Sequence, residues 1–358
     1  MKRLFLTAMS VLVGIAYAIG EHLNGMLFAY QVRTGAILCM GDATGRDLHI
    51  DQVLSNMAIA YRPEGFIADM LFPTCPVPNQ SGLFMVFDRG DRGRIEETAR
   101  APGTYARRVT EAIGSSSYFA KNYALASPAV LEDKLNADPG VIATTLNNKA
   151  TYLLDKLMLD WERRVARLVT SGTNVGSYAA VASSWTGAGN PIGVINTALD
   201  DVYYATGVRP NRIAMGVQAW RAFRRDSNVR NLIFGLNNGG GYPNVQQVQA
   251  LFDVDNVVIG GAFQNNAAEG LSESLASIWA DNVLVYYAPT APTIEKPSLG
   301  YNFRWAAPGL PNMQVERHPY DSRTKSEDIE VGYYQDEKIT GANYGFLITN
   351  VTSSQSGI

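Results

Sequence analysis

Gly187-Ala188-Gly189-Asn190-Pro191-Ile192-Gly193 stands where a helix should begin, a place where free backbone N–H groups can hold an anion. The third glycine comes one residue too late for a dinucleotide fingerprint, and no clear strand precedes it. Asn190-Pro191 is explained without a ligand, as an N-cap followed by the residue best suited to the first helical position. Asp200-Asp201, Asp253/Asp255 and Glu327-Asp328 are paired carboxylates, the residue type for acid–base work or a divalent ion. Close neighbours on one helix or strand do not converge on a point, so these pairs read as solvated surface. His22, His49 and His318 are isolated, and His318-Pro319 reads as an ordinary polar loop position. Cys39 and Cys75 are the only cysteines, too few for a disulfide framework or a four-ligand zinc site. There is no Gly-Lys-Ser/Thr phosphate loop and no Gly-x-Ser-x-Gly elbow. The expectation is therefore no catalytic residue, no cofactor-binding residue and no metal ligand, and a chain that is not an enzyme.

Two further patterns are better read as structure. Arginines from Arg89 to Arg108 alternate with Asp88, Asp91, Glu96, Glu97 and Glu111. That mixture fits ion pairs between subunits better than a phosphate-binding stripe. Arg89-Gly90-Asp91 matches an adhesion tripeptide, but a charged glycine turn accounts for it. The net charge of −3 over 358 residues gives no electrostatic case for tight nucleic-acid binding.

The element that must organise the rest is a long helix over residues 138–172. Ile142, Leu146, Ala150, Leu153, Leu157, Trp161, Val165 and Leu168 form one apolar stripe at helical spacing. Asn148, Asp155, Lys156, Glu162 and Arg163 fall on the far face, and Asp160 and Arg164 can pair one turn apart. Leu159 points off the stripe and suggests a second contact, to another chain. Gly172 can end the helix.

Around it, residues 51–60 suit a short helix. Residues 66–78 carry Pro73, Pro76 and Pro78 and read as an extended arm whose large apolar residues must dock somewhere. Leu83 to Phe87, Arg107 to Ile113 and Ser117 to Leu125 read as strands. The span 82–120 has too little apolar content for its own core, so a hairpin there needs a partner surface. From 190 to 288, helices alternate with buried strands: a helix between Asn190 and Gly207, a strand over 212–216, a helix over 217–225, a helix over 244–252, and strands over 257–260 and 283–287. This is one layered α/β unit. Residues 313–339 and 345–351 read as late strands.

The first 39 residues match a secretory leader: Lys2 and Arg3, an apolar run from Leu4 to Ile15, then Ala16-Tyr17-Ala18. The alternative is a reading frame that begins too early, with Met40-Gly41-Asp42 behaving as an ordinary start. Asn350-Val351-Thr352 is a glycosylation sequon only if secretion is real.

The order of these segments resembles the major capsid proteins of tailed bacteriophages with the HK97-type fold. The similar stretches are Phe66 to Pro73 and on to Val77; Arg209-Pro210-Asn211-Arg212-Ile213-Ala214-Met215 with Trp220 and Phe223; Val245 to Phe252 with Val257-Val258-Ile259-Gly260; Ile278 to Leu284; and Pro297 to Tyr301. The resemblance implies an α+β fold with these parts: a leader or mis-assigned start (1–39), an N-arm (40–81), an extended E-loop (82–120), a peripheral domain with the spine helix (121–189), an axial domain (190–300), peripheral strands and loop (301–342), and a last strand returning to the axial domain (343–358).

The function implied is structural. Copies would form pentamers and hexamers of an icosahedral shell around phage DNA, assembled in host bacterial cytoplasm and found in the virion. Implied partners are scaffold, portal and decoration proteins and non-specific contact with packaged DNA, with no membrane and no cofactor. Some relatives of this fold weld neighbours through a lysine–asparagine bond. The span 82–120 has no lysine, so none is expected here. The rival readings are an encapsulin-like bacterial compartment and, in another class, a secreted hydrolase or binding protein supported only by the leader.

Overall fold

The computed structural model describes residues 54–352, apart from 56, 59–60, 62, 88–93, 111–112, 137–138, 187–188, 236–240, 294–295 and 307–312. Expectations on the leader, on the Met40 start, on most of the helix over 51–60, on the Asp138 cap and on the Arg89–Gly93 turn lie outside these residues.

Helix α1 (Ala68–Leu71) is a single turn, and Pro73 follows it. Strand β1 (Thr74–Val77) pairs parallel with a late strand and lies at a sheet edge, where Pro76 is tolerated. The proline-rich arm thus docks on its own body, and Leu71 and Phe72 are fully buried. Strands β2 (Ser81–Phe87) and β3 (Ile113–Phe119) form an antiparallel hairpin, with Phe84 opposite Ser116. Strand β4 (Lys121–Val130) and helix α2 (Leu131–Asn136) lead into α3 (Pro139–Val169). The alternation over 107–113 predicts a strand, but 107–110 belong to no strand and β3 begins at Ile113.

At 31 residues, α3 is about 46 Å long. Ala150, Leu153, Leu157, Trp161 and Val165 of the expected stripe are buried, joined by Leu154, Met158, Ala166 and Val169. Three expectations need correction. Leu159 is half-buried against the chain's own core and does not call for a second chain. The helix stops at Val169, short of Gly172, and Asn174 Nδ2 donates to the Leu168 carbonyl at 3.1 Å. Glu162, placed on the solvated face, is 1% exposed. The expected Asp160–Arg164 pair is present.

Strand β5 (Ser177–Ala180) precedes α4 (Pro191–Thr206). Asn190 caps α4 by accepting from Gly193 N at 3.0 Å, and Gly207 ends it in the left-handed region. Then come β6 (Arg212–Gly216), α5 (Val217–Arg225), α6 (Ser227–Phe234), α7 (Val245–Phe252), β7 (Asn256–Gly260), the short pair β8 (Phe263–Asn265) and β9 (Leu275–Ser277), and β10 (Val283–Tyr286). Strands β11 (Gly300–Trp305), β12 (Gln314–Arg317), β13 (Ser326–Ile339) and β14 (Gly345–Thr349) complete the chain.

Two five-stranded sheets result. One runs in the order β5-β14-β10-β6-β7. Its alternate residues serve two cores. Ile213, Met215, Val283, Val285, Phe346 and Ile348 meet the helices α4 to α7, while Ala214, Leu284, Tyr286 and Leu347 face the core that holds α3. A sheet buried on both faces needs unbroken apolar strands, which explains the Val-Leu-Val-Tyr run of β10. In the other sheet, β13 pairs with β4 along one edge and with β11 and β12 along the other. Ile329, Val331 and Tyr333 of β13 pack into the α3 core.

Candidate assembly surface

The hairpin β2–β3 stands on a small aromatic base. Strand alternation turns Phe84 and Tyr118 inward, both nearly fully buried, onto Phe303 of β11 at ring-centre distances of 5.2 and 4.9 Å. Cys75, Val77 and Tyr301 close this cluster. Gly82 lies against the Tyr118 ring, where a Cβ would come 2.7 Å from the hydroxyl oxygen. Phe119 N donates to Asp336 Oδ2 at 2.9 Å.

Past that base the chain loses its shelter. Leu83 and Met85 on the other face of β2 are exposed. Every residue from 94 to 110 is exposed except Glu96, which is half-buried, and none belongs to a strand or helix. Ile95 is 97% exposed, Tyr105 100% and Val109 67%. These are large apolar groups spaced along one loop. Within the loop, Thr104 Oγ1 donates to the Ala101 carbonyl at 2.8 Å, and Arg107 pairs with Glu96 at 3.0 Å. Strand β4 adds a second open face, exposed along most of its length.

Glu162 holds the arm beneath the hairpin to the rest of the molecule. Its Oε1 accepts from Ile67 N at 2.8 Å and from Trp279 Nε1 at 2.6 Å, and its Oε2 accepts from Ala68 N at 2.8 Å. One carboxylate thus joins the start of α1, the long helix and the segment before β10. Burial pushes its carboxyl up to about 7, although the three donors pull the other way. A second polar anchor lies nearby. Arg164 donates to Glu337 at 2.9 Å and stacks 3.7 Å above the Tyr123 ring.

The positions weighed for chemistry do not come together. Asp200, Asp201, Asp253 and Asp255 are exposed, and Arg209 pairs with Asp253 at 2.5 Å. Gly189 and Asn190 belong to a loop and a helix cap. His318 is not an isolated surface group: its Nε2 lies 2.8 Å from Glu330 Oε2. The sequence reading missed Glu162, Glu316 and Glu330. The groups near them lie on other elements, and only strand register or helix docking brings them close.

No family model matches the sequence. The major capsid protein of Burkholderia phage BcepMu is 25% identical over 318 residues, covering 84% of this chain and 96% of the relative. Among solved structures, a phage-related protein from Bordetella bronchiseptica aligns with a TM-score of 0.66 and 21% identity, over 86% of this chain and 99% of the other. The capsid of cyanophage P-SCSP1u aligns with a TM-score of 0.51 and 12% identity, over 81% and 89%. With an exposed apolar loop on an otherwise cored body and a matching fold, the chain has the HK97-type capsid fold and is similar, over most of its length, to phage major capsid proteins.

Proposed function

We propose that this chain is the repeating tile of an icosahedral shell, set in pentamers and hexamers around phage DNA. In this reading residues 40–81 act as the N-arm and 82–120 as the E-loop laid across an adjoining copy. Residues 121–189 and 301–342 make the peripheral part, and 190–300 with 343–358 the axial part. The observation that carries it is the loop 94–110, whose Ile95, Tyr105 and Val109 find no cover among the described residues. Solvent-facing apolar groups on a marginal loop gain stability only by burial elsewhere. Under closed symmetry one such contact repeats around the whole shell, and many modest contacts make it hard to dissociate. The relatives' name favours a shell for DNA over a compartment for protein cargo and over a secreted enzyme. Assembly in host cytoplasm, with scaffold, portal and decoration proteins as partners and loose contact with packaged DNA, follows from the same reading. The test is replacement of residues 95–109 by a short Gly-Ser turn. The account expects a folded subunit, by circular dichroism and thermal melting, that forms no closed particles in electron micrographs. Normal particles from this variant would overturn it.

A further inference from the structure

Strands β12 and β13 bring two carboxylates and an imidazole to one spot. Glu316 lies directly opposite Glu330 in the strand register. His318 continues the pairing, its N–H donating to the Asp328 carbonyl at 2.9 Å. It stands two residues beyond Glu316 and so on the same face. One ligand atom from each of the three lies within 4.8 Å of the others. Only one internal bond is made: His318 Nε2 to Glu330 Oε2 at 2.8 Å.

Glu316 is the anomaly. It is 9% exposed, and among the described residues no hydrogen bond or ion pair reaches its carboxylate. The other buried acids are all served. Glu162 has three donors, Asp226 caps a helix, Asp281 accepts from Thr352, and Glu337 accepts from Arg164 and Gln335. Like charges facing each other across paired strands repel, and no cation or donor among the described residues offsets the Glu316 carboxylate.

We propose that Glu316, His318 and Glu330 form a site for a divalent transition metal of the zinc class. A doubly charged ion offsets both carboxylates and supplies the partner Glu316 lacks. One imidazole nitrogen with two carboxylate oxygens suits zinc, which takes such ligands and leaves a fourth position for water. Calcium needs six or more oxygens, and three side chains do not supply them. The ion would pin β12 to β13 where the two strands enter the 318–325 connection.

The test uses the full chain without a histidine tag, freed of metal by a chelator and titrated with zinc. Calorimetry should show one zinc per chain, and the melting temperature should rise with zinc and fall back on adding chelator. Glu316→Gln and His318→Ala should each abolish both effects. Glu316→Gln should also melt higher than the wild type without metal, because the repulsion is relieved; that result certifies its fold. No zinc uptake at millimolar metal would overturn the proposal. So would uptake that persists in both variants.

Discussion

Replacing Glu162 with glutamine keeps the shape of the side chain and removes its titration. The carboxyl is 1% exposed, and burial away from any bonded cation outweighs its three donors. Its value rises from 4.5 to about 7 on folding. The folded chain therefore retains a proton that the unfolded chain releases between those values. The resulting stability is fully present below about pH 4.5 and is lost as pH rises through about 7. A gap of this width corresponds to about 3 kcal/mol. Urea unfolding of unassembled chains at about pH 5 and about pH 8 measures it, since every other group titrates alike in both proteins. The wild type should lose about 2.5 kcal/mol relative to Glu162→Gln between the two conditions. Parallel pH dependences, or a wild type that gains on the variant as pH rises, would refute the reasoning. The second outcome would mean that the three donors prevail over burial and hold the carboxylate ionised.

Phe303→Ala should remove the floor on which Phe84 and Tyr118 stand. The cost is about 3–5 kcal/mol by large-to-small core substitution, and limited proteolysis should then cut within 81–119 first. Shells dissolved in denaturant should run as separate single chains in electrophoresis, because the span 82–120 offers no lysine for an intersubunit bond; a covalent ladder would contradict this.

Where the sequence was legible, one local rule set each end of an element. Asn190 and Gly207 bracket α4 as their types demand, and the apolar run from Arg212 to Gly216 followed by Val217 gives β6 and α5 as read. Strand β5 escaped notice because Ser177–Ala180 are mostly small, and its place comes from parallel pairing with β14. Strand β11 was hidden by Asn302, a polar residue with no exposure that bonds to Gln335 across the sheet. Helical periodicity classed Glu162 as solvated, since a helical wheel knows polarity but not which groups another segment brings. Its donors come from residues about ninety-five positions earlier and more than a hundred later. The three-residue cluster at Glu316 was invisible for the same reason: it exists only through strand register. The coreless character of 82–120, in contrast, is a property of composition, and it was readable before any fold was known.

The central claim is that this loop belongs to a neighbour. An electron cryomicroscopy reconstruction of the assembled shell measures it directly. The account predicts Ile95, Tyr105 and Val109 packed on the surface of an adjoining copy. A shell in which these three side chains stand in solvent, or fold back onto their own subunit, would contradict it.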